Sequence, residues 1–358
     1  MHFTFLCLDD FPVAALSMAI DPLRVANEIS GQRNLNWTVV SESGAATFSS
    51  SRLSVNPDEA LANVAQTDAI IVFAGASARL QNRKATGGLL RRHLSHGARI
   101  GAVSGALFAL AEEQFFDGYK CSAHFCYTAA LQEKFDKLLL SDTLYTVDRN
   151  RMSFAGTAAI FEFMLGVIAQ KVSESVAVET ACWFQYAGLR DTDTRQILPT
   201  YSKNHTRDGL PRAVRSAIDL FASNIESKLK IEDVSKQVGM SLRQLERSFK
   251  KETGISPGTY YRKLRLDAAR QKLLYTDKPL QEVALSVGYD STSAFSVNYR
   301  REFGQSPTQA RKDRSHGVRH AALSFGAPRL PQRSLSNWHM PSSEAYVPKA
   351  LPHGAVHD

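Results

Sequence analysis

The chain has 358 residues, 44% of them hydrophobic and 22% charged, with a net charge of +8 and four cysteines. That length calls for two domains of ordinary size, each with its own core, and no apolar run approaches the roughly 20 residues needed to cross a bilayer. The start MHFTFLCLDDF meets two acids without a basic stretch, so no signal peptide is expected and a cytoplasmic location is. Cys7, Cys121, Cys126 and Cys182 show no close CxxC pairing, so reduced thiols are expected, with neither metal nor cofactor.

Phe3–Leu8 is a short apolar run suited to a buried strand, and Pro12–Asn27 has the apolar spacing of a helix. Strand-like runs return at Trp37–Val40, Ala69–Ala74 and Arg99–Val103, with helix-length segments such as Arg83–His96 between them. Alternating helices and fully apolar strands indicate a parallel sheet covered on both faces. Arg99–Val103 runs through Ser104 and Gly105 straight into a helical segment. Such an elbow lifts the Ser104 side chain above the sheet, beside the free amides of a helix start. Asp21 and Arg24 read as a surface ion pair on the first helix. Met152–Gln170 reads as a strand, a turn at Gly156 and a helix, and Ser173–Tyr186 as a further helix.

Asp191–Pro211 is polar, holds Pro and Gly, and has no apolar period, which marks an interdomain linker. Beyond it, Ile231–Pro257 recurs in altered form at Leu280–Pro307. Val234, Val238 and Gly239 correspond to Val283, Val287 and Gly288, 49 positions later; Leu245, Phe249, Gly254, Ser256 and Pro257 correspond to Phe295, Tyr299, Gly304, Ser306 and Pro307, 50 positions later. Each copy makes sense as two short helices about a bend. Gly239 and Gly288 end the first helix where a positive φ is needed, and Ser241 and Ser291 can cap the second. In the first copy Leu242, Leu245 and Phe249 form a buried stripe, leaving Arg243, Gln244, Arg247 and Lys250 on a face able to enter the major groove. There Arg pairs with guanine and Gln with adenine, while Lys suits phosphate. After about Asp313 the chain is Pro-rich without a period, and disorder is expected for the tail. Residues 1–190 hold 16 Lys/Arg against 18 Asp/Glu, while residues 191–358 hold 27 against 17. All the excess positive charge therefore sits in the C-terminal half, the half that holds the duplicated helices, as a polyanion partner such as DNA requires.

The region from about Ala213 to Lys312 resembles the AraC/XylS family of transcription regulators. Arg265-Leu266, Ala269 and Leu273-Leu274 are similar to its linker helix, and Phe303-Gly304-x-Ser306-Pro307 with Arg311 to its closing signature. Residues 1–188 resemble PfpI-like, flavodoxin-like domains of the glutamine-amidotransferase kind. That resemblance rests on Leu8-Asp9-Asp10-Phe11, Asp21–Asn27, the Ser104 elbow and Ala155–Leu165. The combination is that of the GlxA-like branch. In enzymes of the PfpI kind the elbow residue is usually Cys, with a His about 20 positions on in some branches and a Glu in the first loop. Here the elbow is Ser104, His124 holds the later place, and Phe11–Leu16 has no acid.

The resemblance implies an α/β effector-sensing and dimerising domain at 1–190, a linker at 191–212, an all-α DNA-binding domain with two helix-turn-helix units at 213–313, and a tail at 314–358. The old active-site crevice, at the carboxyl ends of the strands, is kept for an effector: Asp10, Phe11, Gly75, Ala76, Ser104, Gly105 and His124 are its candidate residues. Asp10 or another acid would meet a cationic group and the helix-start amides a carboxylate. The family points to a small nitrogen compound such as an amino acid, betaine or amine. For DNA the candidates are Arg243, Gln244, Arg247 and Lys250 in the first unit. In the second, Val297 stands where the family often has Arg, so Ser291, Thr292, Ser293 and Ser296 are the candidates. The expected protein is a homodimeric activator that binds promoter DNA and RNA polymerase and has no enzymatic activity. Its rivals are a Ser104-dependent amidase that also binds DNA, and a constitutive DNA-binding protein whose first domain only dimerises.

Overall fold

The computed structural model describes residues 1–187, 190, 194–196 and 210–315. The first half alternates strands and helices: β1 (His2–Cys7), α1 (Val13–Ser30), β2 (Asn36–Ser41), β3 (Thr47–Phe48), β4 (Ser54–Val55), β5 (Glu59–Ala60), β6 (Ala69–Ala74), α2 (Arg83–Ser95), β7 (Arg99–Ser104) and α3 (Ala106–Glu112). It continues with β8 (Lys120–Ser122), α4 (Thr128–Lys134), β9 (Leu139–Ser141), β10 (Tyr145–Asp148), β11 (Arg151–Phe154), α5 (Thr157–Lys171) and α6 (Glu174–Trp183). Seven strands form one sheet in the order β10-β11-β7-β6-β1-β2-β5, parallel throughout except for the antiparallel edge pair β10–β11.

The central strands read as unbroken apolar runs because both their faces are covered. Along β6, Ala69, Ile71 and Phe73 pack toward α1, α5 and α6, while Ile70, Val72 and Ala74 pack with Leu90 of α2 and Ala106–Leu110 of α3. Asp21 and Arg24 do pair on α1, at 3.4 Å. The short β3–β4 ribbon, the β8–β9 pair and α4 were not legible as separate elements in the sequence.

The second half is helical: α7 (Arg212–Ser223), α8 (Ile231–Gln237), α9 (Leu242–Thr253), α10 (Pro257–Tyr275), α11 (Leu280–Leu285), α12 (Thr292–Phe303) and α13 (Pro307–Ser315). It has two small cores. Val214, Ala217, Ile218, Phe221, Val234, Leu245, Phe249, Tyr260 and Tyr261 form one. Leu266, Ala269, Leu273, Val283, Val287, Phe295, Tyr299 and Ala310 form the other. The long helix α10 belongs to both, its first turns to one unit and its last to the other, so it fixes the two units to each other. Gly239 and Gly288 have φ of 73° and 75°. Gly288 has a second reason to lack a side chain: a Cβ there would stand 2.7 Å from both Arg265 Nη2 and Glu226 O. Most of the expected linker at 191–212, and almost all of the expected tail at 314–358, lie outside the described residues.

Helix α10 also reaches the sheet-bearing half. The Gln271 side chain accepts from the Ala129 amide at 3.1 Å and donates to the Phe125 carbonyl at 3.2 Å, fastening α10 to α4. Lys272 meets Glu133 at 2.7 Å with both side chains largely covered, and Lys278 pairs with the same carboxylate. Burial works against charge on Glu133, but the hydrogen bonds from Lys272 and Lys278 hold its carboxyl below the usual range. The two halves exchange apolar groups as well. Ala129 packs against the second helix-turn-helix core, and Tyr275 packs against the sheet core beside α3.

Candidate functional sites: the serine elbow and the DNA-facing helices

Ser104 ends β7 with φ 56°, and Asp10, after β1, has φ 60°. Both lie in the left-handed region, which costs a non-glycine residue about 1–3 kcal/mol and concentrates at functional sites. The space between them is closed by contacts that only glycine permits. A Cβ on Gly75 would lie 2.6 Å from Asp10 Cβ, and one on Gly105 would lie 2.2 Å from the Ala76 nitrogen. The fold thus brings Asp10, Gly75, Ala76, Ser104 and Gly105 together where β1, β6 and β7 end. Phe11 is different: it is 0% exposed, bridges to Ser49 and belongs to the apolar core. It supports the first loop from beneath and is out of a ligand's reach.

His124 does not serve Ser104. Its Nδ1 accepts from the Cys126 amide at 3.3 Å and lies 2.8 Å from Cys126 Sγ, while its ring lies 4.3 Å from that of Phe125. Burial pushes its pKa down to about 4, so the ring is neutral at pH 7. The side chain beside Ser104 is instead Tyr127, whose hydroxyl also lies near Cys126; burial holds that phenol well above its ordinary range. In place of a Ser–His pair, the elbow holds a Ser104–Tyr127–Cys126 cluster with no ionised member. Burial likewise pushes the Cys126 thiol up to about 12, and all four cysteines are free.

Tyr127 is the residue the sequence reading missed, and it connects the elbow to the helical half. Its ring meets Tyr275 of α10 edge-on at 5.3 Å and Phe108 of α3 at 5.7 Å; Phe108 and Tyr275 lie 5.5 Å apart. The aromatic run around His124 was the only local signal, and nothing local pointed to a partner 148 positions on.

In the helical half, Ser241 caps α9 in a full capping box with Gln244. Leu245, Phe249 and Thr253 face inward, while Arg243, Gln244, Arg247 and Lys250 are all exposed. The Gln244 carbonyl oxygen is engaged by Ser241, at 3.0 Å from its amide and 2.9 Å from its hydroxyl. Ser291 caps α12 by accepting from the Ala294 amide, so its hydroxyl holds the helix start. Ser293 is exposed, whereas Thr292 and Ser296 are only partly so. The outward stripe of α12 is Ser293, Ala294, Val297 and Arg300, of which Ser293 alone is among the residues expected to meet DNA. Among the described residues no cluster of His, Cys, Asp or Glu suits a metal ion, and no helix is long and apolar enough to cross a membrane.

Comparison with known proteins agrees with this two-part construction. The DJ-1/PfpI family profile matches residues 5–170 and the profile described as "Helix-turn-helix domain" matches residues 234–313. The HTH-type transcriptional regulator GbdR of Pseudomonas aeruginosa is 33% identical over 313 residues, covering 87% of this chain and 84% of that one. The regulator CdhR of the same species is 32% identical over 310 residues, covering 86% and 91%. The regulator GlxA of Rhizobium meliloti is 26% identical over 312 residues, covering 86% and 94%. With a DJ-1/PfpI domain ahead of a double helix-turn-helix domain, and with relatives of this similarity along most of its length, the chain belongs to the AraC family of transcription regulators, in its GlxA-like branch.

Proposed function

We propose that this regulator senses a small nitrogen metabolite in the crevice at Ser104, without turning it over, and passes the result to its DNA-binding helices through α10. The observation that carries this reading is the continuous contact from Ser104 to Tyr127 to Tyr275. A ligand that displaces the Tyr127 hydroxyl from Ser104 moves a ring on which the end of α10 rests, and α10 is shared by the cores of both helix-turn-helix units. Asp10 and the ring cluster beside the elbow form a setting that suits a small cationic nitrogen compound. The protein acts in the cytoplasm as a homodimer that reads repeated promoter half-sites, the α9 and α12 of each chain entering successive major-groove turns roughly 34 Å apart, and it recruits RNA polymerase as an activator.

The hydrolase alternative has one observation on its side, the positive φ at Ser104. Against it stands the chemistry: a serine hydroxyl needs an adjacent base, and His124 is neutral and committed to Cys126. A thermal-shift screen of the full-length protein against amino acids, betaines and amines tests the proposal. A true effector at 100 times its dissociation constant stabilises by about 2.7 kcal/mol, and Ser104→Ala should reduce that shift while leaving DNA binding intact. If no compound shifts the protein, the constitutive reading takes over. Ser104-dependent turnover of an amide or ester would promote the hydrolase.

A further inference from the structure

The two recognition helices present the same architecture and opposite chemistry. From Ser241 to Lys250 and from Ser291 to Arg300 the pattern of exposed, half-covered and buried positions is nearly identical. Fifty positions apart, four outward pairs correspond, Arg243 with Ser293, Gln244 with Ala294, Arg247 with Val297, and Lys250 with Arg300, while Glu246 is exposed and its counterpart Ser296 half-covered. The α9 face can donate hydrogen bonds along its length. On α12 the two central places are held by hydrocarbon, and Val297 is 66% exposed.

Neither folding nor helix formation explains Val297. It lies opposite the buried Phe295–Tyr299 stripe, and a β-branched residue is a poorer helix former than most alternatives. Its position, six residues past the Ser291 cap, is in the half of a recognition helix that meets base edges. In the major groove one base alone offers an apolar group, the C5-methyl of thymine, and apolar side chains recognise it by contact.

We propose that Val297, with Ala294 beside it, reads thymine methyl groups. The two units of one chain then recognise chemically different half-sites, purine edges under α9 and thymine under α12, with Arg300 on the phosphates as Lys250 is in the first unit. This rests on the reading of the protein as a sequence-specific DNA-binding regulator.

The test uses full-length protein and binding sites selected from random double-stranded DNA. Arg243→Ala identifies the α9 half-site as the one whose base preferences it relaxes, and the other belongs to α12. Each thymine of the α12 half-site is then replaced by deoxyuridine, which removes only the methyl group. The wild type should lose about fourfold in affinity at one or two such positions, the worth of one buried methyl group. Val297→Ala should bind the thymine and deoxyuridine sites alike, and Val297→Arg should shift the preference there toward guanine. A half-site without thymine, indifference of the wild type to deoxyuridine, or unchanged methyl sensitivity in Val297→Ala would each overturn the proposal. So would a Val297→Ala variant with full DNA affinity but weakened transcription, which would assign the residue to a protein partner. Failure to select any sequence sinks the regulator reading itself; a selected sequence without methyl sensitivity sinks only this inference.

Discussion

Replacing Ser104 by cysteine puts a thiol where the backbone turns at φ 56° into the start of α3. Helix starts lower a thiol's pKa and make it reactive. In contrast, burial pushes Cys7, Cys121 and Cys126 up to about 12. Ser104→Cys should therefore be alkylated faster than Cys7, Cys121 and Cys126, with no amidase activity appearing; slow alkylation would put position 104 out of a ligand's reach. His124 makes a separate claim about pH. Its folded pKa of about 4 lies below the unfolded 6.5, so in between the unfolded chain binds a proton that the folded one refuses. The contribution is complete above pH 6.5 and is lost as the pH falls toward 4, in total roughly 3 kcal/mol. His124→Asn, which keeps an acceptor for the Cys126 amide, should flatten the decline of unfolding free energy across that window. An unchanged pH profile would show that the imidazole titrates freely.

Helix α9 joins a cap, a buried stripe and a cationic face in twelve residues, and each feature follows from spacing that the sequence displays openly. Arg243→Ala or Arg247→Ala should lower affinity for the selected site by roughly 1–3 kcal/mol and relax its sequence preference. Lys250→Ala should weaken binding to all sequences alike and reduce the salt slope by about one. Equal losses on specific and random DNA for both arginines would show that neither reads bases. The duplicated helices and the central strands were legible because a period, a glycine at positive φ or an unbroken apolar run is a local signal. Strands of two or three residues such as β3 and β8, and the seven-residue α4, which has no side-chain cap, leave no such trace. Phe11 was placed in the crevice by its neighbour Asp10, though adjacent side chains after a strand often face opposite ways. On α12 Val297 was passed over for the serines because it cannot form a hydrogen bond, although exposure depends on helix phase and not on polarity.

The contact between the two halves was not legible at all. Gln271 bonds to Ala129 and Phe125, and Tyr275 to Tyr127 by ring packing, across about 150 residues of chain, and no periodic pattern records such a meeting. Yet this contact decides whether the chain is a sensor or merely two domains in series. The α10 helix carries both DNA-reading units at one end of the path, and its last turn rests on the ring whose hydroxyl lies beside Ser104. The affinity of full-length protein for its selected DNA, measured with and without each amino acid, betaine and amine, puts this to the test when wild type is compared with Tyr275→Ala. In the wild type at least one compound should change specific affinity by about tenfold, a coupling of about 1.4 kcal/mol, and in Tyr275→Ala the same compound should still bind but leave DNA affinity unchanged. A wild type indifferent to every compound, or a Tyr275→Ala variant that responds as fully as the wild type, would contradict the path from elbow to DNA.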